Sequence, residues 1–216
     1  FFIIVSSSQP IYIFSRMSTI DLTVVVPTFN EEKNINKTLL DIRDFASKQH
    51  LKTEIIVVDD GSRDQTTMLV EHLKQNVPTL RLLKNPVNRG KGAVIKQGML
   101  AAAGKYVLFM DADNATQISE LNRFMPHIQN GIDMVTGSRR LPSDQVHIEQ
   151  PGKRRFLGSI YISMARLILA LPPADYNCGF KLFKKEVVPD IFGKLRMSDW
   201  SYDVEIFLLA KKLNLR

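Results

Sequence analysis

Short apolar runs rich in Val and Ile recur along this chain, and three of them run straight into polar, chemically useful residues. Leu22-Thr23-Val24-Val25-Val26 is closed by Pro27-Thr28-Phe29-Asn30-Glu31, and residues 54–58 by Asp59-Asp60-Gly61-Ser62. Residues 106–110 run into Asp111-Ala112-Asp113. Continuous apolar runs of this length read as strands buried on both faces. The intervening segments carry helical spacing. Asn30 is expected to cap the first helix, with Glu31 and Glu32 in its opening turn and Ile35, Leu39, Ile42 and Phe45 as its apolar stripe. Further strands are expected at 80–83 and 134–136, and further helices up to about residue 75, over 90–103 and near 117–129. Alternation at this spacing implies right-handed βαβ units: an α/β, Rossmann-like fold with a mainly parallel central sheet and helices on both faces.

The pattern changes after Arg139. Residues 141–153 are polar and read as a loop or flap. A basic cluster, Lys153-Arg154-Arg155, then precedes an apolar stretch over 156–171 that is interrupted by Arg166 and ended by Pro172-Pro173. That stretch is too short to span a bilayer and fits either a helix lying in a membrane interface or a core helix. A short apolar stretch at 178–183 and a helix around 202–213 follow. At the other end, residues 1–16 hold two apolar patches around three serines and Pro10, without a basic n-region or a continuous signal core. They are expected to be the tail of a membrane anchor or sequence translated upstream of Met17, leaving 17–216 as one domain.

A chain of 216 residues, 44% hydrophobic and 24% charged, supports one sizeable folded domain rather than a disordered chain. Its net charge of +7 points to an anionic partner: nucleic acid, anionic lipid or a phosphorylated small molecule. The single cysteine, Cys178, excludes an intrachain disulfide and reads as a packing residue.

In open α/β sheets, ligands bind outside the carboxyl ends of the strands, where the three polar segments converge. Asp111 and Asp113 offer two hard oxygen ligands that suit Mg²⁺ or Mn²⁺, substrate phosphates completing the shell. The plainer alternative is that they cap the next turn. Asp59 and Asp60 repel each other at a buried strand end unless donors surround them, and a base or ribose supplies such donors. The alternative is that one of them satisfies a helix N-terminus. Gly61 permits the turn. Asn88-Arg89-Gly90-Lys91-Gly92 stands before a helix and reads as an anion site of backbone N–H groups and cations. The chain has no Walker A spacing and no Gly-x-Gly-x-x-Gly after its first strand, so a P-loop nucleotidase and a dinucleotide dehydrogenase are both disfavoured.

Val24-Val25-Val26-Pro27-Thr28-Phe29-Asn30-Glu31-Glu32, Val57-Val58-Asp59-Asp60-Gly61-Ser62-Arg63-Asp64, Asn88-Arg89-Gly90-Lys91-Gly92 and Asp111-Ala112-Asp113, in that order and at that spacing, resemble the family 2 glycosyltransferases of the GT-A (nucleotide-diphospho-sugar transferase) fold. The resemblance covers roughly residues 20–215. It implies that Pro27, Asn30, Glu31, Asp59, Asp60 and Gly61 frame the base and ribose of a nucleotide sugar, that Lys91, Gly92 and Ala112 lie near the nucleotide sugar, and that Asp111 and Asp113 bind Mg²⁺ or Mn²⁺ on the diphosphate. The segments 175–183 and 200–205 are similar to the branch that transfers glucose from UDP-glucose to dolichyl or polyprenyl phosphate, with inversion, at the cytosolic face of a membrane. That membrane is the endoplasmic reticulum in a eukaryote and the plasma membrane in a prokaryote. Close mannosyl relatives of that branch use GDP-mannose instead.

An acceptor that is already a phosphate needs little general-base help. Positioning and cations are then the main expectations, with Arg139 serving a phosphate and Lys153, Arg154 and Arg155 meeting the acceptor or lipid headgroups. Asp175 and Asp203 are candidates for a base or an acceptor-orienting carboxylate, with structural roles as the alternative. The branch continues beyond a segment like 213–216, so the chain is expected to be a fragment with an incomplete acceptor side. A polysaccharide-building transferase and an inactive nucleotide-binding module are the competing readings. A nucleic-acid binder ranks last, because the strand-end carboxylates repel a phosphate backbone.

Overall fold

The computed structural model describes residues 20–138, 178–199 and 201–216. Strands β1 (Leu22–Thr28), β2 (Thr53–Asp59), β3 (Leu80–Lys84), β4 (Tyr106–Met110), β5 (Met134–Thr136) and β6 (Phe180–Lys184) form one sheet in the order β3-β2-β1-β4-β6-β5. β1 runs parallel to β2 and β4, and β2 parallel to β3. β6 is antiparallel to both of its neighbours, β4 and β5. The helices are α1 (Ile35–Lys48), α2 (Thr66–Leu73), α3 (Lys91–Ala101), α4 (Leu121–Gln129), α5 (Val188–Phe192) and α6 (Tyr202–Lys212). The mainly parallel α/β sheet expected from the alternation is therefore present.

Period-2 geometry sends alternate strand residues to opposite faces. Val24, Val26, Ile55, Val57 and Leu108 pack on Ile35, Leu39, Ile42, Val70 and Phe124 of one helical layer. Val25, Ile56, Val58, Val107 and Phe109 pack on Val94, Ile95, Met99, Phe192 and Phe207 of the other. Both faces are covered, and all seven residues of β1 and of β2 are buried, which is why those strands read as unbroken apolar runs. Gly98 lets α3 approach the sheet closely: a Cβ there would stand 2.4 Å from Val25 Cγ1 and 2.9 Å from Val58 Cγ2.

The chain passes from β1 outward through β2 to β3, then returns to β4 on the other side of β1. This reversal is the topological switch point at which α/β sheets open a crevice. Pro27 widens it. Asp21 gives its carbonyl to β4 at Tyr106, and Thr28 gives its carbonyl toward β2 at Asp60, so odd-numbered residues of β1 face β4. Pro27 has no N–H to offer there. The β1–β4 pairing ends at Val25 and Phe109, while the β1–β2 pairing continues to Thr28 and Asp59.

One expectation is corrected. Asn30 does not cap α1, because the helix begins at Ile35 after Asn34, and Asn30 sits in the left-handed region with φ 56°. The apolar stretch at 178–183, to which the sequence assigned no element, holds strand β6, which lies between β4 and the edge strand β5 and is followed by the short helix α5. The expected loop at 141–153, the apolar helix at 156–171 and the expected anchor remnant at 1–16 lie outside the described residues. The contact at Gly98 gives a test. Gly98→Val is expected to overpack the α3–sheet interface and lower stability by about 1–3 kcal/mol in urea unfolding, despite the better helix propensity of the new residue.

Candidate active site

The carboxyl ends of β1, β2 and β4 bring their polar segments to one edge, and side chains lock those segments together. The Asn30 N–H donates to Ser62 Oγ at 2.9 Å, and Asn30 Oδ1 accepts from the Arg63 N–H at 2.9 Å. The Glu31 N–H donates to Thr66 Oγ1 at 2.8 Å, and the Glu32 N–H to Asp64 Oδ2 at 3.1 Å. Glu32 Oε2 returns a bond by accepting from the Gln65 N–H at 3.0 Å. The left-handed backbone at Asn30 therefore turns the chain so that successive groups meet the loop after β2. Phe29, 44% exposed, stands on the rim of this edge.

Asp59 and Asp60 are both buried, and backbone donors surround both. Asp59 Oδ2 accepts from the N–H groups of Gly61 (3.1 Å) and Ser62 (3.0 Å). Gly61 adopts φ 76° to complete that turn. Asp60 reaches across to the loop before α3, where Oδ1 accepts from the Arg89 N–H at 2.7 Å and Oδ2 from the Gly90 N–H at 3.0 Å. The Gly92 N–H is taken by the Ser198 carbonyl at 2.9 Å. The reading of residues 88–92 as an open anion site is thus corrected: the protein's own Asp60 carboxylate supplies the anion for two of those N–H groups, and Ser198 fills a third. Gly90 and Gly92 are required by packing, since a Cβ at either would stand 2.4–2.5 Å from the carbonyls of Ser198 and Met197.

Lys91, the first residue of α3, projects to β4, and its Nζ lies 2.6 Å from Asp111 Oδ1 with both side chains about one-third exposed. The Asp111 N–H donates to the Gly179 carbonyl at 3.1 Å. Ala112 gives its carbonyl to Thr38 Oγ1 of α1 at 2.7 Å, and Asn114, with φ 56°, donates to Asp41 at 2.7 Å. Asp113 is exposed, and its Oδ1 accepts from the Ala115 N–H at 3.0 Å, the turn-capping geometry named as the plainer alternative.

Asp203, on the first turn of α6, is 5% exposed. Burial pushes its carboxyl up, and the Lys181 ammonium at 2.5 Å pulls it back down. Tyr202 beside it is pushed well above the ordinary phenol range by burial and by the neighbouring carboxylates Asp203 and Asp111. The burial and the ion pair of Asp203 match its structural alternative. Arg139, Asp175, Lys153, Arg154 and Arg155 lie outside the described residues. Sequence reasoning assigned no role to Lys181, Gly179, Ser198 or Thr38. The one available signal was Lys181 itself, a charged residue between the apolar neighbours Phe180 and Leu182.

The model of the glycosyl transferase family 2 matches residues 23–192. The chain belongs to this family. Among relatives of this glycosyltransferase chain, a "Dolichyl-phosphate beta-glucosyltransferase" of Dictyostelium discoideum is 39% identical over 92% of the chain and 64% of the relative. A protein of the same name from Saccharomyces cerevisiae is 34% identical over 88% of the chain and 62% of the relative. The chain thus spans less than two thirds of the length of these relatives. In fold it resembles glucosyl-3-phosphoglycerate synthase from Mycobacterium tuberculosis, solved with Mn²⁺, uridine-diphosphate and phosphoglyceric acid. That match has a TM-score of 0.59 and 21% identity over 90% of this chain and 64% of the other.

The bridge from Asp60 gives a direct test. Asp60→Ala leaves the Arg89 and Gly90 N–H groups without their acceptor, so it is expected to cost on the order of 1–3 kcal/mol. Hydrogen exchange at those two amides is expected to accelerate, while exchange in α1 stays near wild type.

Proposed function

We propose that this chain carries the donor-binding and catalytic part, within 17–216, of an inverting glycosyltransferase that moves glucose from UDP-glucose to a polyprenyl phosphate such as dolichyl phosphate. The observation that carries the reading is the meeting of Lys91, Asp111 and Asp113 at the switch-point edge, beside the interlocked loops that follow β1 and β2. The relatives named as dolichyl-phosphate beta-glucosyltransferases support the sugar and the acceptor.

Asp111 and Asp113 suit a divalent ion. They are hard oxygen donors one residue apart, and the described residues contain no cluster of three or more His, Cys, Asp or Glu side chains that would form a closed cage. Mg²⁺ and Mn²⁺ bind through one or two carboxylates and fill their remaining positions with phosphates and water. When bound there, the ion supplies positive charge to the diphosphate that leaves as the sugar is transferred. Lys91, freed from Asp111, is placed to add a second cation to the same diphosphate. Pro27, Asn30, Glu31, Asp59, Asp60 and Gly61 frame the nucleotide end: Asn30 and Glu31 line its rim, and the buried Asp59 and Asp60 hold the loops that shape it.

The acceptor is a phosphate ester with a second pKa of about 6, so it is largely ionised at neutral pH and a strong base is dispensable. Arg139 and the cluster Lys153, Arg154 and Arg155 are proposed to hold that phosphate and anionic headgroups, with Asp175 orienting the acceptor. The described residues that flank this segment lie side by side, the Gly137 N–H donating to the Phe180 carbonyl at 3.0 Å. No helix among the described residues is long and apolar enough to cross a membrane. The proposed location is the cytosolic face of a membrane, with the substrate lipid as the contact.

The reading is tested by radiolabelled transfer from UDP-glucose and from GDP-mannose to polyprenyl phosphate, with Mg²⁺ or Mn²⁺ and with chelator. Chelator-sensitive transfer from UDP-glucose is expected. Transfer from GDP-mannose alone would make the chain a mannosyltransferase, and transfer to a glycan instead would overturn the lipid acceptor. Asp113→Ala is expected to fold cooperatively, with a melting temperature lowered by a few degrees for the lost bond to Ala115, and to lose metal-dependent UDP-sugar binding. Unchanged affinity in that variant removes Asp113 from the site.

A further inference from the structure

Lys181, the second residue of β6, is 0% exposed and stands opposite Phe109 on one side and Thr136 on the other. Its Nζ donates to Asp203 Oδ1 at 2.5 Å and to the Cys178 carbonyl at 2.7 Å, and it lies 5.1 Å from the centroid of the Phe109 ring. Desolvating an ammonium and a carboxylate costs several kcal/mol each, and a buried ion pair is often no more stable than an apolar pair of the same volume. Stability alone therefore does not account for a lysine at this position.

The Cys178 carbonyl that Lys181 holds belongs to the turn on which Asp111 rests. The Gly179 carbonyl accepts the Asp111 N–H at 3.1 Å. A Cβ on Gly179 would stand 2.0 Å from Asp111 Oδ2, so the bare backbone of residue 179 lies directly against that carboxylate. Lys91 approaches the other oxygen, Oδ1, at 2.6 Å. Contacts therefore run without a break from Asp203 through Lys181, the Cys178 carbonyl and Gly179 to Asp111.

We propose that Lys181 is a positioning residue for Asp111: its buried ammonium, neutralised by Asp203, fixes the Cys178–Gly179 turn that seats the Asp111 carboxylate. The proposal rests on the role given above to Asp111 as a metal ligand. Asp203 then acts through Lys181.

The test measures Mn²⁺ affinity by titration calorimetry in the presence of UDP, on wild type, Asp111→Asn, Lys181→Met/Asp203→Leu and Gly179→Ala. Removing both charges spares the fold the burden of an unpaired ion, so the double variant is expected to unfold cooperatively near the wild-type temperature. Its Mn²⁺ affinity is expected to fall by about 10–100-fold, the usual effect of removing a group that orients a ligand. Gly179→Ala is expected to show a similar loss with the ion pair intact. A folded double variant whose Mn²⁺ affinity stays within twofold of wild type, while Asp111→Asn loses binding, overturns the proposal and leaves the metal reading standing. Should the double variant not fold, Gly179→Ala decides: affinity within twofold of wild type means that the turn does not seat Asp111. Wild-type affinity in Asp111→Asn overturns both readings together.

Discussion

A parallel strand covered on both faces has one place to put polar chemistry, the end where its neighbours stop. β1 is buried along its whole length and paired on both sides, so every functional group it offers must follow Pro27. At the carboxyl end of β2 the polar groups are Asp59 and Asp60, and at that of β4 the first is Asp111. The proline makes the constraint asymmetric. It withholds a ladder bond on the β4 side only, so the crevice opens between β1 and β4 and not between β1 and β2. The site is where it is because the sheet leaves it nowhere else.

The acidic residues at that edge divide between two kinds of work. Asp59, Asp60 and Asp64 accept backbone N–H groups, and Glu205 does the same for Arg196 and Met197. Each carboxylate thereby satisfies donors that a loop with little regular structure leaves unpaired. Asp113 spends one oxygen in the same way, on the Ala115 N–H, but is itself exposed. Asp111 differs: its carboxylate has a cation, Lys91, against it.

Much of this was legible in the sequence. The buried strands announced themselves because coverage on two faces demands unbroken apolar runs, and their acidic ends marked the edge at which the loops gather. Two misreadings share a cause, which is that each depended on a residue distant in sequence. Asn30 looks like a helix cap until Ser62 and Arg63 arrive to bind it, and its left-handed backbone then moves the helix start to Ile35. Residues 88–92 look like an open anion site until Asp60 crosses from β2. β6 was hidden for another reason: Lys181 breaks its apolar run, and only Asp203, on a later helix, makes a buried lysine tolerable there.

The cross-bonds joining Asn30, Glu31 and Glu32 to Ser62, Arg63, Asp64, Gln65 and Thr66 carry a kinetic meaning. Two loops fastened to each other by these five bonds have already surrendered the freedom that a ligand would otherwise have to take from them. A pre-shaped edge of this kind does not need to fold around its guest, so encounter with a fitting molecule proceeds at much the same rate as encounter with a poor one. Discrimination then resides in how long each stays.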